Sequence, residues 1–316
     1  MLIERGQSLE IIAGPCSVDE ENLRQIYDIA EIRIKNIRGE WQRAIWGTRM
    51  VGLKSRTELD SSGVGMGIDY RVLVENILIL NNGGGQKDFI VPPSALMARE
   101  VIKKTGLHVA SEIMMPEIQI PPLINSGIEN GKLLLWNPSV DQLGWHVMQI
   151  AGLAKGRSWD VGLKNGKWLG TSLDKAYRCD LTSMEKTWIG LASFARDIDG
   201  TVILIHRGID IPEKGSYRGL PVHELAARAK RCLREKNRHC LLYFDPSHSY
   251  GPFLRDQIVE GTIKAMRIRI GNDWLYDGML IEVGDSKTDT KQHITIGELK
   301  AMAQEIARFR EISFSR

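Results

Sequence analysis

Four residue types able to hold a transition metal recur at the ends of short apolar runs. They are Cys16 in GPCS, His248 in DPSHS, Glu282 in IEVG and Asp289 in TDTKQ. A thiolate, an imidazole and two carboxylates form a mixed soft and hard donor set. Such a set suits Mn, Fe, Co or Zn better than Ca or Mg. Each residue alone has a plainer reading: a Cys after a strand is readily buried filler, and a single His is readily an ordinary hydrogen-bonding group. Asp289 stands close after Glu282, and Asp285 is the reserve for its position. A second group is cationic: Arg49, Lys54, Arg56, Lys164, Lys167 and Arg207. Arginine forks match phosphate and carboxylate oxygens and lysine supplies a point charge. Lys54, Lys164 and Arg207 each close an apolar run, and Glu112 closes another, so an anionic ligand is expected among them.

These residues need elements that bring them together. Eight apolar runs follow one another: Leu9–Ala13, Met50–Leu53, His108–Ala110, Lys132–Trp136, Trp159–Leu163, Thr201–Ile205, Cys240–Phe244 and Tyr276–Ile281. Helical periodicity lies between most of them, at 23–30 (with Asp19 as its cap), 140–155, 184–196, 221–235, 254–268 and 295–310. Short apolar strands alternating with amphipathic helices predict a parallel sheet, and eight units predict a closed (β/α)8 barrel. Active sites of that fold sit at the C-terminal ends of the strands, where these polar residues fall. The stretch 58–105 is too long for one loop and one helix and is read as an elaborated segment with an extra helix around 70–80. Trp136, Trp159 and Trp188 read as core. His146, His223 and His239 read as surface or capping residues.

Composition bounds the rest. The chain has 316 residues, 43% of them hydrophobic and 26% charged, an ordinary globular balance that excludes disorder. Forty-two Lys and Arg against 39 Asp and Glu leave +3, too little to argue for nucleic acid. No apolar run approaches the length of a membrane helix, and the first residues lack a signal core. The four cysteines form no CxxC pair, so a reduced, cytoplasmic protein is expected. There is no GxxxxGK[ST] and no GxSxG. Residues 1–316 are read as a single domain without a fused regulatory domain.

Taken in order, IIAGPCSVDEENL, VGLKSRT, VGLKNGK, ILIHRGID, FDPSHSYG and LIEVG…TDTKQHIT resemble the type I DAHP synthases, relatives of the Kdo8P synthases. The likeness runs from residue 11 to about residue 299. It implies a (β/α)8 barrel that condenses phosphoenolpyruvate with erythrose 4-phosphate, giving DAHP and phosphate as the first step of the shikimate pathway, with a divalent metal. It implies Cys16, His248, Glu282 and Asp289 as metal ligands, with Lys54, Cys16 and His248 at the reacting centre. Arg49, Lys54, Glu112, Lys164 and Arg207 would meet phosphoenolpyruvate, and Arg56 and Thr57 the aldose phosphate. A homo-oligomer is also implied. The chain departs from the family in the short link from Glu282 to Asp289, in the longer 58–105 segment and at two further places. The arginine of the family's GAR segment is missing from LLWNPSVDQLGW (134–145), where Ser139 or Val140 takes its place, and the proline of KPRT is Ser55. A sibling synthase for another aldose and a non-catalytic sugar-phosphate-binding barrel remain as alternatives.

Overall fold

In a computed structural model the chain is described for residues 7–54, 66–210, 221–236, 238–288 and 290–314. Eight parallel strands close into a barrel: β1 Glu10–Gly14, β2 Gly47–Arg49, β3 His108–Glu112, β4 Leu133–Trp136, β5 Asp160–Lys164, β6 Val202–His206, β7 Leu241–Phe244 and β8 Gly278–Glu282. Each pairs with its sequence neighbours, and β1 closes the ring by pairing with β8 over its whole length and with β2 at Ile12 and Gly47. At least one helix follows each strand, among them Leu23–Ala30, Pro93–Thr105, Pro116–Asn125, Gly144–Ala154, Ser183–Phe194, His223–Glu235, Ile258–Ala265 and Ile296–Ala307.

Local sequence accounts for many element ends. Thr182 and Glu185, and Thr295 and Glu298, form capping boxes in which each side chain satisfies the other residue's backbone N–H. Each cap is worth about 1 kcal/mol. Pro93 opens its helix at a position that needs no N–H donor, and Gly106 ends it in the left-handed region at φ +74°. Asp19 does not cap the first helix. The N-cap is Asn22, and Asp19 and Asn22 exchange side-chain-to-backbone bonds at 2.9 Å just ahead of it.

The period of two along each strand sorts side chains between two cores. Ile12, Ala110, Leu134, Ile203, Ile205, Tyr243 and Leu280 fill the barrel interior. The alternate residues, such as Ile11, Val109, Leu135, Leu163, Leu204, Phe244 and Met279, face the helices. Continuing the inward register beyond the interior layers leads to Glu112, Trp136, Lys164, Arg207, Asp245 and Glu282 at the C-terminal mouth.

The second strand lies three residues earlier than expected. The apolar run Met50–Leu53 is buried but leaves the barrel wall: Met50 still donates to Ala110 O, and Val51 O then accepts from Val18. Gly47–Thr48–Arg49 forms the strand because an interior position next to a buried carboxylate stabilises a polar side chain that hydrophobicity alone would exclude. A hairpin, Arg33–Lys35 with Trp41–Arg43, precedes it and carries no strong sequence signal. The extra helix is Tyr70–Asn81; residues 58–65 of the elaborated segment lie outside the described residues. Trp136, Trp159 and Trp188 are fully buried. His146 and His223 are not surface residues. His146 is buried, with one ring nitrogen on Ile113 O and the other on Asp141, and the half-buried His223 ring accepts or donates at Tyr276 Oη, so polar partners let both imidazoles leave the surface. His239 is exposed.

Gly162 on β5 has no room for a side chain. A Cβ there would come within 2.8 Å of Ile205 and 2.9 Å of Trp136. Gly162→Ala is expected to destabilise the barrel by about 1–3 kcal/mol, read as a lower urea midpoint with an unchanged slope.

Candidate functional site at the barrel mouth

Arg49, at the end of β2, crosses the mouth inside the protein. Its Nη2 lies 2.9 Å from Glu282 Oε1, its Nε donates to Pro15 O at 3.1 Å, and Nη2 reaches Cys16 O at 3.5 Å. This ties the GPCS turn after β1 to the end of β8. Lys54 Nζ stands 3.0 Å from Cys16 Sγ. Glu282 also accepts from Gln292 Nε2 and receives its own backbone position from Ser247, whose Oγ accepts from Glu282 N at 2.9 Å.

The second half of the mouth is built from β3, β5 and β6. Lys164 Nζ lies 3.0 Å from Glu112 Oε1. Asn137 Oδ1 accepts from Lys164 N, and Asn165 Oδ1 accepts from Arg207 N, so both cationic residues are held by the preceding turns. Trp136 forms a common floor: the Lys164 ammonium is 4.9 Å and the Arg49 guanidinium 5.6 Å from its ring centre. The negative face of the indole favours both cations in a dry setting.

Burial and mutual charge set the protonation states. Burial would raise the carboxyl pKa of Glu112, but Lys164 and Lys54 overcome it and hold it at about 2. Glu282 is likewise held at about 2, against burial, chiefly by Arg49 and then His293 and Lys54. Burial pulls Lys164 down to about 8, only partly offset by Glu112, with Arg207 and Arg49 adding repulsion. Burial would lower the Lys54 ammonium, yet the Cys16, Glu112 and Glu282 charges keep it above its ordinary value. Burial raises Asp245 despite Arg207 nearby.

The expected metal ligands come together in part. Donor atoms of Cys16, Glu282 and His293 all lie within 4.8 Å of one another, and all three residues are buried. His248 approaches the same carboxylate: its Nε2 is 3.6 Å from Glu282 Oε1, while Nδ1 rests on Asp245 at 2.8 and 2.9 Å. A carboxylate behind the far ring nitrogen is how a ligating histidine is commonly oriented. His293 Nε2 is buried with no hydrogen-bond partner among the described residues. Thiolate, carboxylate and imidazole at these separations fit a borderline transition metal, whose bonds of about 2.0–2.3 Å need only small closure of the group. Asp289 lies outside the described residues, as do Arg56 and Thr57. Asp285 is exposed and points its backbone N–H at Gln25, away from the group.

His293, Gln292, Asp245 and the platform role of Trp136 were not picked out from sequence. His293 and Gln292 stand in TDTKQHIT, but only the fold shows that this stretch returns alongside β8. Ile294 donates to Glu282 O and accepts from Gly284, carrying both side chains to the mouth. Lys167 sits at the edge, 3.7 Å from Asp210. Val140 is 84% exposed, so neither it nor the buried Asn137 loop replaces the missing arginine.

No protein-family model and no curated protein sequence matches the chain. Among solved structures, a phospho-2-dehydro-3-deoxyheptonate aldolase (DAHP synthase) from Thermotoga maritima is similar, with a TM-score of 0.64. Identity is 18%, over 97% of this chain and 71% of that one. The likeness is one of fold: a (β/α)8 barrel. Among the described residues no helix is long and apolar enough to cross a membrane.

The Lys164 ammonium is charged below about pH 8 and neutral above it. Sulfate, whose own charge is constant over this range, should therefore bind the mouth progressively more weakly as pH rises through 8. Lys164→Gln should bind it weakly throughout and lose that limb, as read by calorimetric titration.

Proposed function

We propose that this mouth condenses phosphoenolpyruvate with an aldose phosphate, erythrose 4-phosphate being the favoured acceptor, and releases DAHP and inorganic phosphate. The reading makes the protein a C–C bond-forming transferase acting on small molecules in aromatic amino acid biosynthesis. The observation that carries it is the pairing of two chemistries at one buried barrel mouth. A thiol, carboxylate and imidazole group stands beside Arg49 and Lys54, and the buried Lys164 and Arg207 lie at the ends of β5 and β6. The barrel likeness and the strand-end motifs support it further.

In this reading Arg49, Lys164 and Arg207 hold the carboxylate and phosphate of the enol substrate and offset the charge that gathers as it reacts. Glu112 keeps the Lys164 ammonium aimed across the Trp136 face. The enol carbon bonds to the aldehyde carbon, water adds to the carbon bearing the phosphate, and phosphate departs with the bridging oxygen. Cys16, Glu282, His248 and Asp289 would hold a divalent Mn, Fe, Co or Zn ion, which supplies Lewis-acid polarisation of the aldehyde when bound. Lys54, with Nζ 3.0 Å from Cys16 Sγ, stands ready to meet a negative oxygen. Arg56 and Thr57 would take the aldose phosphate. The absence of a cation at 137–140 favours a second reading, a sibling synthase for a different aldose.

Phosphate release from phosphoenolpyruvate decides between them. Turnover with erythrose 4-phosphate alone, dependent on Mn²⁺ and abolished by a chelator, is the expected result. Turnover with arabinose 5-phosphate or an unphosphorylated aldose instead would keep the reaction and change the acceptor. Folded, metal-loaded protein inert with every acceptor would reduce the barrel to a binding protein. Arg207→Ala should lower kcat/KM by about 10²–10³, the effect of removing one positioned charge donor.

A further inference from the structure

We propose that His293 is itself a metal ligand through Nε2, so that the ion at this mouth is held by two imidazoles, His248 and His293, with Cys16 and Glu282. The inference rests on the metal reading above and changes its donor set, which the motifs gave a single histidine.

The ring's hydrogen bonds assign its free nitrogen. His293 Nδ1 lies 2.6 Å from Gly284 O, and a carbonyl can only accept, so Nδ1 carries the proton. In the neutral ring Nε2 then presents a bare lone pair. That atom is buried, has no hydrogen-bond partner among the described residues and stands 3.7 Å from Glu282 Oε2. The separation is too long for a hydrogen bond, and Glu282 Oε2 already accepts from Gln292. A lone pair facing a buried carboxylate oxygen is repulsive, and either a proton on Nε2 or a metal cation between the two relieves it. Cys16 Sγ belongs to the same cluster, within 4.8 Å of both.

His248 repeats the arrangement on the other carboxylate oxygen. Its Nδ1 is fixed by Asp245 and its Nε2 aims at Glu282 Oε1 from 3.6 Å. The two rings therefore address Glu282 from separate elements, each with its far nitrogen anchored. Anchoring of that kind orients a ligating ring and selects its tautomer. A site with more imidazole also shifts preference toward Zn, Cu, Fe or Ni and away from Mn.

Cu²⁺-loaded protein tests this without any turnover. Pulsed electron paramagnetic resonance should count two coupled imidazoles in the wild type and one each in His248→Asn and His293→Asn. The Cys16 thiolate-to-metal absorption should persist in all three. Asparagine at 293 keeps an amide donor for Gly284 O, so the loop's own hydrogen bond is conserved. Competition with a chromophoric chelator should show His293→Asn weaker by more than the 10–100-fold that an outer-shell partner accounts for. A single imidazole in the wild type, or a His248→Asn protein with the thiolate band but no imidazole coupling, would sink the His293 assignment and leave the metal reading standing. A wild-type protein without the thiolate band would overturn both. The wild-type count needs no variant to fold.

Discussion

The buried contact between Arg49 and Glu282 organises the barrel mouth. One guanidinium spans the ends of β1, β2 and β8, taking the Pro15 and Cys16 carbonyls on one side and the Glu282 carboxylate on the other. Without it the GPCS turn has no fixed relation to the last strand, and Cys16 no fixed relation to Glu282. Both charges are removed from water, so neither is tolerable alone; breaking such a pair leaves an uncompensated interior charge at a cost of about 3–5 kcal/mol. The donor set at the mouth is thus coupled to the closure of the barrel.

The same logic governs the rest of the cavity. Lys164 faces Glu112, and Lys54 faces Cys16. Each cation has an anionic neighbour that keeps it in place, yet positive charge still dominates around Lys164, where Arg49 and Arg207 add to burial in pulling its pKa down. A site in this state gains when an anion arrives, because the newcomer relieves repulsion among fixed cations rather than having to order them. Trp136 contributes by placing a polarisable face under two of those cations.

The turn after β4 is where this cavity differs from the pattern its motifs suggest. Asn137 is wholly buried and spends its side chain on Lys164 N and on the carbonyls of Pro138 and Asp141. The segment therefore holds its neighbour in place and delivers no charge of its own, and Val140 points to solvent. Among the described residues, the buried cations of the mouth therefore stand at the ends of β2, β5 and β6, as Arg49, Lys164 and Arg207.

The barrel was legible in the order of residues, and so was the gathering of Cys16, Lys54 and Glu282 at its mouth. Eight apolar runs alternating with helical periodicity leave little other than a (β/α)8 ring, since a helix between consecutive strands is the crossover that parallel pairing needs. Polar residues at the ends of those runs must then converge. The sequence misplaced β2, because hydrophobicity marks Met50–Leu53 while the true strand carries Thr48 and Arg49, the latter a buried charge paired with Glu282 more than two hundred residues away. It also passed over His293, His146 and His223, since an imidazole's environment depends on which loop returns beside it. The tertiary structure alone decided that residues 290–294 run back along β8, that Nε2 of two histidines faces one carboxylate, and that Trp136 underlies two cations. Those are relations across the ring, set by the register of the closed sheet and by the balance of buried charge.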